Sequence, residues 1–526
     1  MTAVVAEAPG SPAADASAPR RAVLALARVE MVRMLRHPVT VAATLLLAGL
    51  WVSDWFTTKT TRYPVLQELD HDSAMGMMIL LGGAALIVGN LAVLRAHRDG
   101  TTGLSRVLIL PDHARTLAHL LAPLPLAVVG AVLILARMAV LAICAPAAGH
   151  PNPYELAVGP ATVLLLGALG VLLGRLTRSA VVAPLALLVL LAGLVFLEPL
   201  TNGGKALWLA PQGQPTPMMP IPVSLLARPA AAHLGYLLGL AGLLATAAVL
   251  RAGARGVRVA GAGAVALACT VAGGTAQLSP PSPAVTAARI AVMNQPSQHE
   301  TCQELGHVTY CAFAEFSRWI PAWNTVVQAV VARVPATARS TQLTVRQRIA
   351  IPAFDRGTGP EQLLAAWRAD DAAAGTPGAI GIDTSWGDSP AAANLAGQVA
   401  YRLVTGQTGE APIEQRDGAT ACGGAGVLVV WLAGQASTHA GTGLGLLAED
   451  ARDERGGVSF YETQRFPTVY VPTPELTVAT QALARPRADI AARVQQSWAT
   501  LTAPGTTAAQ AAQILGVPAP ATSTAC

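Results

Sequence analysis

Charge is scarce in this chain. Asp, Glu, Lys and Arg make up 12% of its 526 residues, against roughly 25% in soluble domains. A single soluble domain is thereby excluded as the whole architecture. Lysine is nearly absent, with Lys59 and Lys205 alone, so the basic residues are almost all arginine. A nucleotide-binding loop is lacking too. Gly203-Gly204-Lys205 has neither the Walker spacing nor a flanking strand and helix. The first nineteen residues are rich in Ala, Pro and Ser. They lack the basic start, apolar core and cleavage site of a secretory leader, so 1–19 is expected to be a disordered tail.

What abounds is apolar. Hydrophobic residues reach 52% and mean hydropathy is +0.47. The apolar residues cluster before about Gly274, and the remainder reads as soluble. Seven runs, near 39–56, 74–94, 119–145, 156–174, 180–198, 232–250 and 259–277, suffice as spans, given that about 20 residues cross a bilayer. The expected fold is a polytopic α-helical membrane protein with six or seven transmembrane helices. An α-rich, mixed α/β extracytoplasmic domain follows. The divisions are a surface helix at 20–38, a transmembrane domain at 39–278 and an outer domain at 279–526.

Arginine placement sets the expected orientation. Fourteen basic residues fall on segments assigned to the cytoplasm and four on the outer connections. The N-terminus is then inside, and an odd number of spans puts the C-terminal half outside a plasma membrane.

The stretch AVLALARVEMVRMLRHP reads as a helix along the inner surface. Arg21, Arg28 and Arg36 share one face, and Val23, Leu26, Ala27 and Met34 lie opposite, toward lipid. Glu30 interrupts that apolar face. The alternative is an extended first span with basic flanks. Arg137 lies inside the third run. It is a functional candidate by position, but it is expected to snorkel to the outer headgroups. Gly82, Gly83, Gly167, Gly170, Gly235 and Gly239 are expected to permit close helix approach.

The loop RAHRDGTTGLSRVLILPDHARTLAHLLAPL begins at Arg95 and joins two apolar runs. It is expected to hold a short surface helix on which a soluble partner pushes. Arg98 and Arg106 would pair with acidic groups of that partner, and Asp99 would cap the helix N-terminus. Anchoring of the arginines to anionic headgroups is the other reading.

Together, Arg36-His37-Pro38, two spans, Arg98-Asp99-Gly100-Thr101, Leu108, Pro111, Arg115 and the run Ala118 to Pro123 resemble a known family. It is that of the permease subunits of ATP-binding-cassette exporters of drugs, lipids and polysaccharides. The resemblance covers roughly residues 20–250. Asp99 stands where the family commonly has Glu, with a tighter spacing to the glycine. Family members typically have six spans, so the additional span and the outer domain look like an actinobacterial elaboration. The resemblance implies a cytoplasmic ATPase subunit that carries ATP and Mg, and a second permease, identical or different. It places the coupling to the ATPase at Arg98, Asp99, Gly100, Thr101, Arg106, Pro111 and Arg115. No cofactor in this chain, no catalytic residue and no nucleic-acid partner is expected.

In the outer half, Cys302 and Cys311 are expected to staple a hairpin as a disulfide. Cys422 and Cys526 are also external, and their pairing is open. Cys144 and Cys269 lie in spans and are expected to be buried free thiols. His299, Glu300, Glu304 and His307 lack the His-Glu-x-x-His spacing of a zinc protease, and a solvated polar loop is expected. Helices are expected at Trp323 to Val334, Pro360 to Ala369, Ala391 to Leu403, Gly426 to Gln435 and Leu476 to Ala484. Strands are expected at Gln342 to Ile351 and Thr468 to Val471. GIDTSWGDSP reads as a turn with a buried Trp386. A membrane-anchored extracytoplasmic enzyme or ligand-binding module is the alternative function. A sensor is a third.

Overall fold

The computed structural model describes residues 18–57, 62–101, 110–201, 208–211, 219–339, 342–351, 359–407, 419–451, 456–463 and 466–521. Nearly all of the expected tail, Arg106, Leu108, Lys59, Lys205 and Cys526 lie outside them.

The N-terminal half is a helical bundle. It runs α1 (Ala18–Arg36), α2 (Pro38–Thr57), α3 (Leu66–Met77) and α4 (Gly83–Arg98), then α5 (Asp112–Leu121) and α6 (Leu124–Cys144). It continues with α7 (Pro153–Thr177), α8 (Val182–Thr201), α9 (Ala230–Arg251) and α10 (Val257–Leu278), and α11 (Pro283–Asn294) follows, with Val292 and Met293 in the core of the C-terminal domain. Six helical stretches are long and apolar enough to cross a membrane: 38–56, 66–98, 112–144, 153–177, 230–251 and 257–294. In α8, the side chains described run to Phe196 and are almost wholly apolar. Outward residues such as Phe56, Ile143, Val195 and Val265 are exposed apolar groups, as expected where lipid is the solvent.

Small residues set the packing. A Cβ on Gly170 of α7 would overlap the Leu86 carbonyl of α4, and one on Gly273 of α10 would stand 2.6 Å from the Ala232 carbonyl of α9. Gly82, Gly83, Gly167 and Gly239 also sit at tight contacts, whereas Gly235 faces open space. That glycine does not serve helix approach.

Helices α3 and α4 form one rod, joined by a π turn at Met78–Gly82. The rod begins eight residues before the apolar run, because the acid-rich head LQELDHDS is itself helical and buried at Leu66, Gln67, Leu69, Asp70, His71 and Ser73. Helix α1 does not offer its apolar face to lipid. Ala27 and Met34 are buried, and Met34 packs with Val88 and Ala122 of the bundle. Leu24, Val29 and Val32 are the exposed apolar groups.

The C-terminal domain, called the outer domain after its expected place, holds two small sheets. Strand β1 (Glu300–Leu305) pairs antiparallel with β2 (Val308–Phe313). Helix α12 (Ile320–Val331) leads to β3 (Leu343–Arg348), and α13 (Pro360–Ala373) leads to β4 (Ile380–Asp383). Both of these strands join in parallel, in the order β1-β2-β3-β4. Helix α14 (Ser389–Thr405), β5 (Ala419–Thr420), α15 (Gly423–Gln435), α16 (Thr438–Asp450), β6 (Val458–Thr463) and β7 (Phe466–Val471) follow, and the second sheet is ordered β5-β7-β6. The domain closes with α17 (Thr473–Leu483), α18 (Arg487–Gln496) and α19 (Ala508–Leu515).

The expected hairpin is present, with Cys302 and Cys311 opposite each other and bonded. Cys422 is also disulfide-bonded. Cys144 and Cys269 are free but exposed on the outer faces of their helices, not buried. The five expected outer helices and both strands are found with shifted ends. The segment read as a turn contains β4, and Trp386 beyond it is half-buried against Tyr63 and Trp323. The expected polar loop at His299 to His307 is largely the β1–β2 hairpin.

The outer domain sits on the bundle through one end of it. Trp319 Nε1 donates to the Pro146 carbonyl at 2.7 Å. The Glu315 carboxylate accepts from the Val223 backbone N–H, and the Glu315 carbonyl accepts from Gly149. Thr384 Oγ1 donates to the Pro220 carbonyl. Val65, Ala148, Ile221 and Leu225 belong to the same apolar core as Trp319, Trp323 and Trp431. The connections α2–α3, α6–α7 and α8–α9 therefore share a face with the outer domain.

Candidate functional site

At the opposite end, helix α4 stops at a well-formed cap. Gly100 takes a left-handed φ of +67°. The Gly100 N–H donates to the His97 carbonyl and the Thr101 N–H to the Ala96 carbonyl. This pair of bonds is a Schellman motif, which closes a helix C-terminus and favours glycine at the turn. Asp99 is thus the C-cap of α4. The helix whose N-terminus it was expected to cap would begin within 102–109, outside the described residues. The chain reaches that glycine while still helical, so the orphan carbonyls of α4 decide the role of the motif.

Arg98, Asp99, Gly100, Thr101 and Pro111 are exposed. Pro111 is the N-cap of α5, and its fixed φ suits that entry. Arg115 turns inward on α5, only 17% exposed, and pairs with Asp112 at 2.7 Å. These residues form one end-face of the bundle, and Arg106 lies outside the described residues. Helix α1 joins that face through Glu30, which accepts from Arg95 at 2.7 Å and from Arg33 at 3.0 Å. The interruption of the apolar face of α1 is therefore an ion pair to the end of α4. Two rods, 66–98 and 112–144, and the surface helix converge on this loop.

The other end of the bundle holds a buried polar cluster that sequence reasoning missed. Arg228 donates to the Gln67 carbonyl at 2.8 Å and lies 3.4 Å from the Asp70 carboxylate. Asp70 Oδ2 also accepts from the Asn152 N–H at 3.0 Å. Gln67 Nε2 donates to the Ile221 carbonyl, and His233 bonds Gln277. Glu155 is 1% exposed, and neither carboxylate oxygen has a hydrogen-bond partner among the described residues. The signal was the run Glu68, Asp70, His71 and Asp72 heading an apolar stretch, where ionisable groups mark function by default. Arg137 is not a snorkelling residue. It donates to Ser73 at 2.8 Å, pairs with Asp54 at 3.4 Å and stacks over Trp51.

A third polar group lies inside the outer domain. Arg346 pairs with Glu300 at 2.6 Å and with Asp371 at 3.1 Å. Arg348 pairs with Asp371 at 2.6 Å and Glu462 at 3.1 Å, and it stacks on Trp367. The two arginines share a face of β3 and so tie both sheets to α13. Burial pushes the Glu300 carboxyl up to about 7, against the pull of Arg346 and Arg348. All five side chains are enclosed, so this network braces the domain and is closed to a substrate. Glu304 and His307 are exposed while Glu300 points inward, and no group of His, Cys, Asp and Glu fit for a metal occurs among the described residues.

Compared with protein-family models, with curated proteins and with solved structures, the chain matches none.

Proposed function

We propose that the chain is the membrane-spanning permease subunit of an ATP-driven exporter, moved by a separate cytoplasmic ATPase seated on the α4–α5 loop. One observation carries this reading: the loop is the meeting point of two long rods and the braced helix α1. A push on Arg98 to Thr101 is delivered directly to helix ends, because the Schellman cap makes that segment continuous with α4.

The passes alternate if α8 crosses like the others. The loop then faces the cytoplasm with the N-terminus, and the C-terminal domain is extracytoplasmic. The arginine bias supports that orientation. A second permease, identical or different, would complete the transport path, and the lipid bilayer is the solvent of the outward apolar faces. ATP and Mg belong to the ATPase. A membrane-anchored enzyme or ligand module gives this loop no role, and the enclosed charge network of the outer domain offers no surface for catalysis.

The test is affinity purification of the full chain from its native membrane in mild detergent, with mass spectrometry of what accompanies it. A stoichiometric ATP-binding-cassette ATPase, lost with Gly100→Val and Arg98→Glu, is the expected result. A folded chain that carries no ATPase overturns the reading.

A further inference from the structure

Glu155 is the third residue of α7, and Asn152 is its N-cap. At that spacing a glutamate ordinarily reaches back to accept the N-cap backbone N–H. Here Asp70 has taken that donor, with Asn152 N at 3.0 Å from Oδ2. Asn152 Oδ1 caps the helix by accepting from Tyr154. Glu155 is displaced and left enclosed with both oxygens unpartnered. A buried carboxylate without a partner is neutralised rather than carried as a bare charge.

The surroundings favour one proton over any larger cation. Asp70 is wholly buried, and His71, His233 and Gln277 are no more than 5% exposed. Acids outnumber cations: Glu68 and Asp72 share α3 with Asp70, while Arg228 reaches Asp70 from the α9 side. Arg137 serves Ser73 and Asp54 further along, and Glu315 of the outer domain is spent on Val223. Among the described residues Arg228 donates to Gln67 and Asp70 alone.

We propose that Asp70 and Glu155 form a proton-binding pair that holds one proton and competes for the Asn152 N–H. In this structure Asp70 is ionised between Arg228 and Asn152, and Glu155 carries the proton. When the head of α3 draws away from Asn152, Glu155 gives up its proton to water and Asp70 takes one up. The Glu155 carboxylate then takes the freed N–H. One O–H bond breaks on Glu155 and one forms on Asp70, and no other covalent bond changes. Because α3 and α4 are one rod, the exchange is tied to movement at the Arg95 end. The pair itself does not depend on the exporter reading, and a chain without an ATPase would still show it.

The experiment is infrared spectroscopy of the purified full chain in lipid nanodiscs at neutral pH, comparing the parent with Glu155→Gln and Asp70→Asn. The difference between the parent and Glu155→Gln is expected to show a protonated-carboxyl C=O band that shifts in heavy water, with the band of Glu300 common to both spectra and cancelling. Glu155→Gln, isosteric with the neutral acid, is expected to keep the thermal midpoint and lose that band. Asp70→Asn is expected to lose it too, because Glu155 then ionises on the Asn152 N–H. A parent-minus-Glu155→Gln difference spectrum without the band overturns the proton on Glu155. A band untouched by Asp70→Asn overturns the pairing.

Discussion

Glu30 and Arg95 lie 65 positions apart and meet as an ion pair of 2.7 Å, with Glu30 only 3% exposed. This contact ties α1 to the bundle. Its other partner, Arg33, is 55% exposed, so the energetic weight rests on Arg95.

Removing Glu30 should therefore loosen one end of the molecule selectively. Breaking a fully buried pair costs about 3–5 kcal/mol. Arg95 is 36% exposed, and solvent screens part of that, so Glu30→Ala is expected to cost roughly 1–2 kcal/mol. Thermal unfolding in detergent measures the loss, and limited proteolysis should cut within α1 first. Arg33→Ala should leave both readouts unchanged.

The outer domain is held by Trp319 at its junction with the bundle. Trp319→Phe keeps most of the ring and removes the bond to Pro146, at an expected cost of about 1 kcal/mol. Trp319→Ala also opens a cavity, for about 3–5 kcal/mol. Hydrogen exchange at 145–150 should rise with both variants, more with the second, while exchange at 95–101 stays constant.

The long apolar helices and the stapled hairpin were legible in the sequence because both are local signals. An apolar run or a Cys-x8-Cys spacing needs no partner elsewhere. The cap at Gly100 was half legible. The residues were singled out, but their role in closing α4 was not read. Glu30 looked like a flaw on its own helix, since its partner is remote in sequence. The head of α3 was read as a connection because its acids hide the 3.6-residue period, and its burial comes from Asn152 and Arg228 on other elements. Arg346 and Arg348 gave no sign of facing inward, as nothing near them in sequence supplies Glu300 or Glu462.

Reduction of Cys302–Cys311 should weaken the hairpin by about 2–3 kcal/mol, the closure term for a short loop. Strand β1 is an edge strand with an exposed middle, so the loss stays local. The expected outcome is faster amide exchange along 300–305, with the unfolding midpoint of the bundle unmoved.

Glu300 gives the outer domain a defined pH response. Its carboxyl rises from the ordinary 4.5 to about 7 on burial. The folded state thus binds more protons than the unfolded state between these values, and stability falls as pH rises through that window. The contribution is fully present below 4.5 and lost above 7. Urea unfolding of the full chain in detergent, read by tryptophan fluorescence, should show this decline. Glu300→Gln should flatten it.

The most direct measurement places a photo-activated crosslinker at Thr101 of the full chain in its native membrane. The account predicts an adduct with an ATP-binding-cassette ATPase, and none when the same reagent replaces Tyr154 at the other end of the bundle. An ATPase adduct absent at Thr101, or equally strong at Tyr154, would contradict a permease driven through this loop.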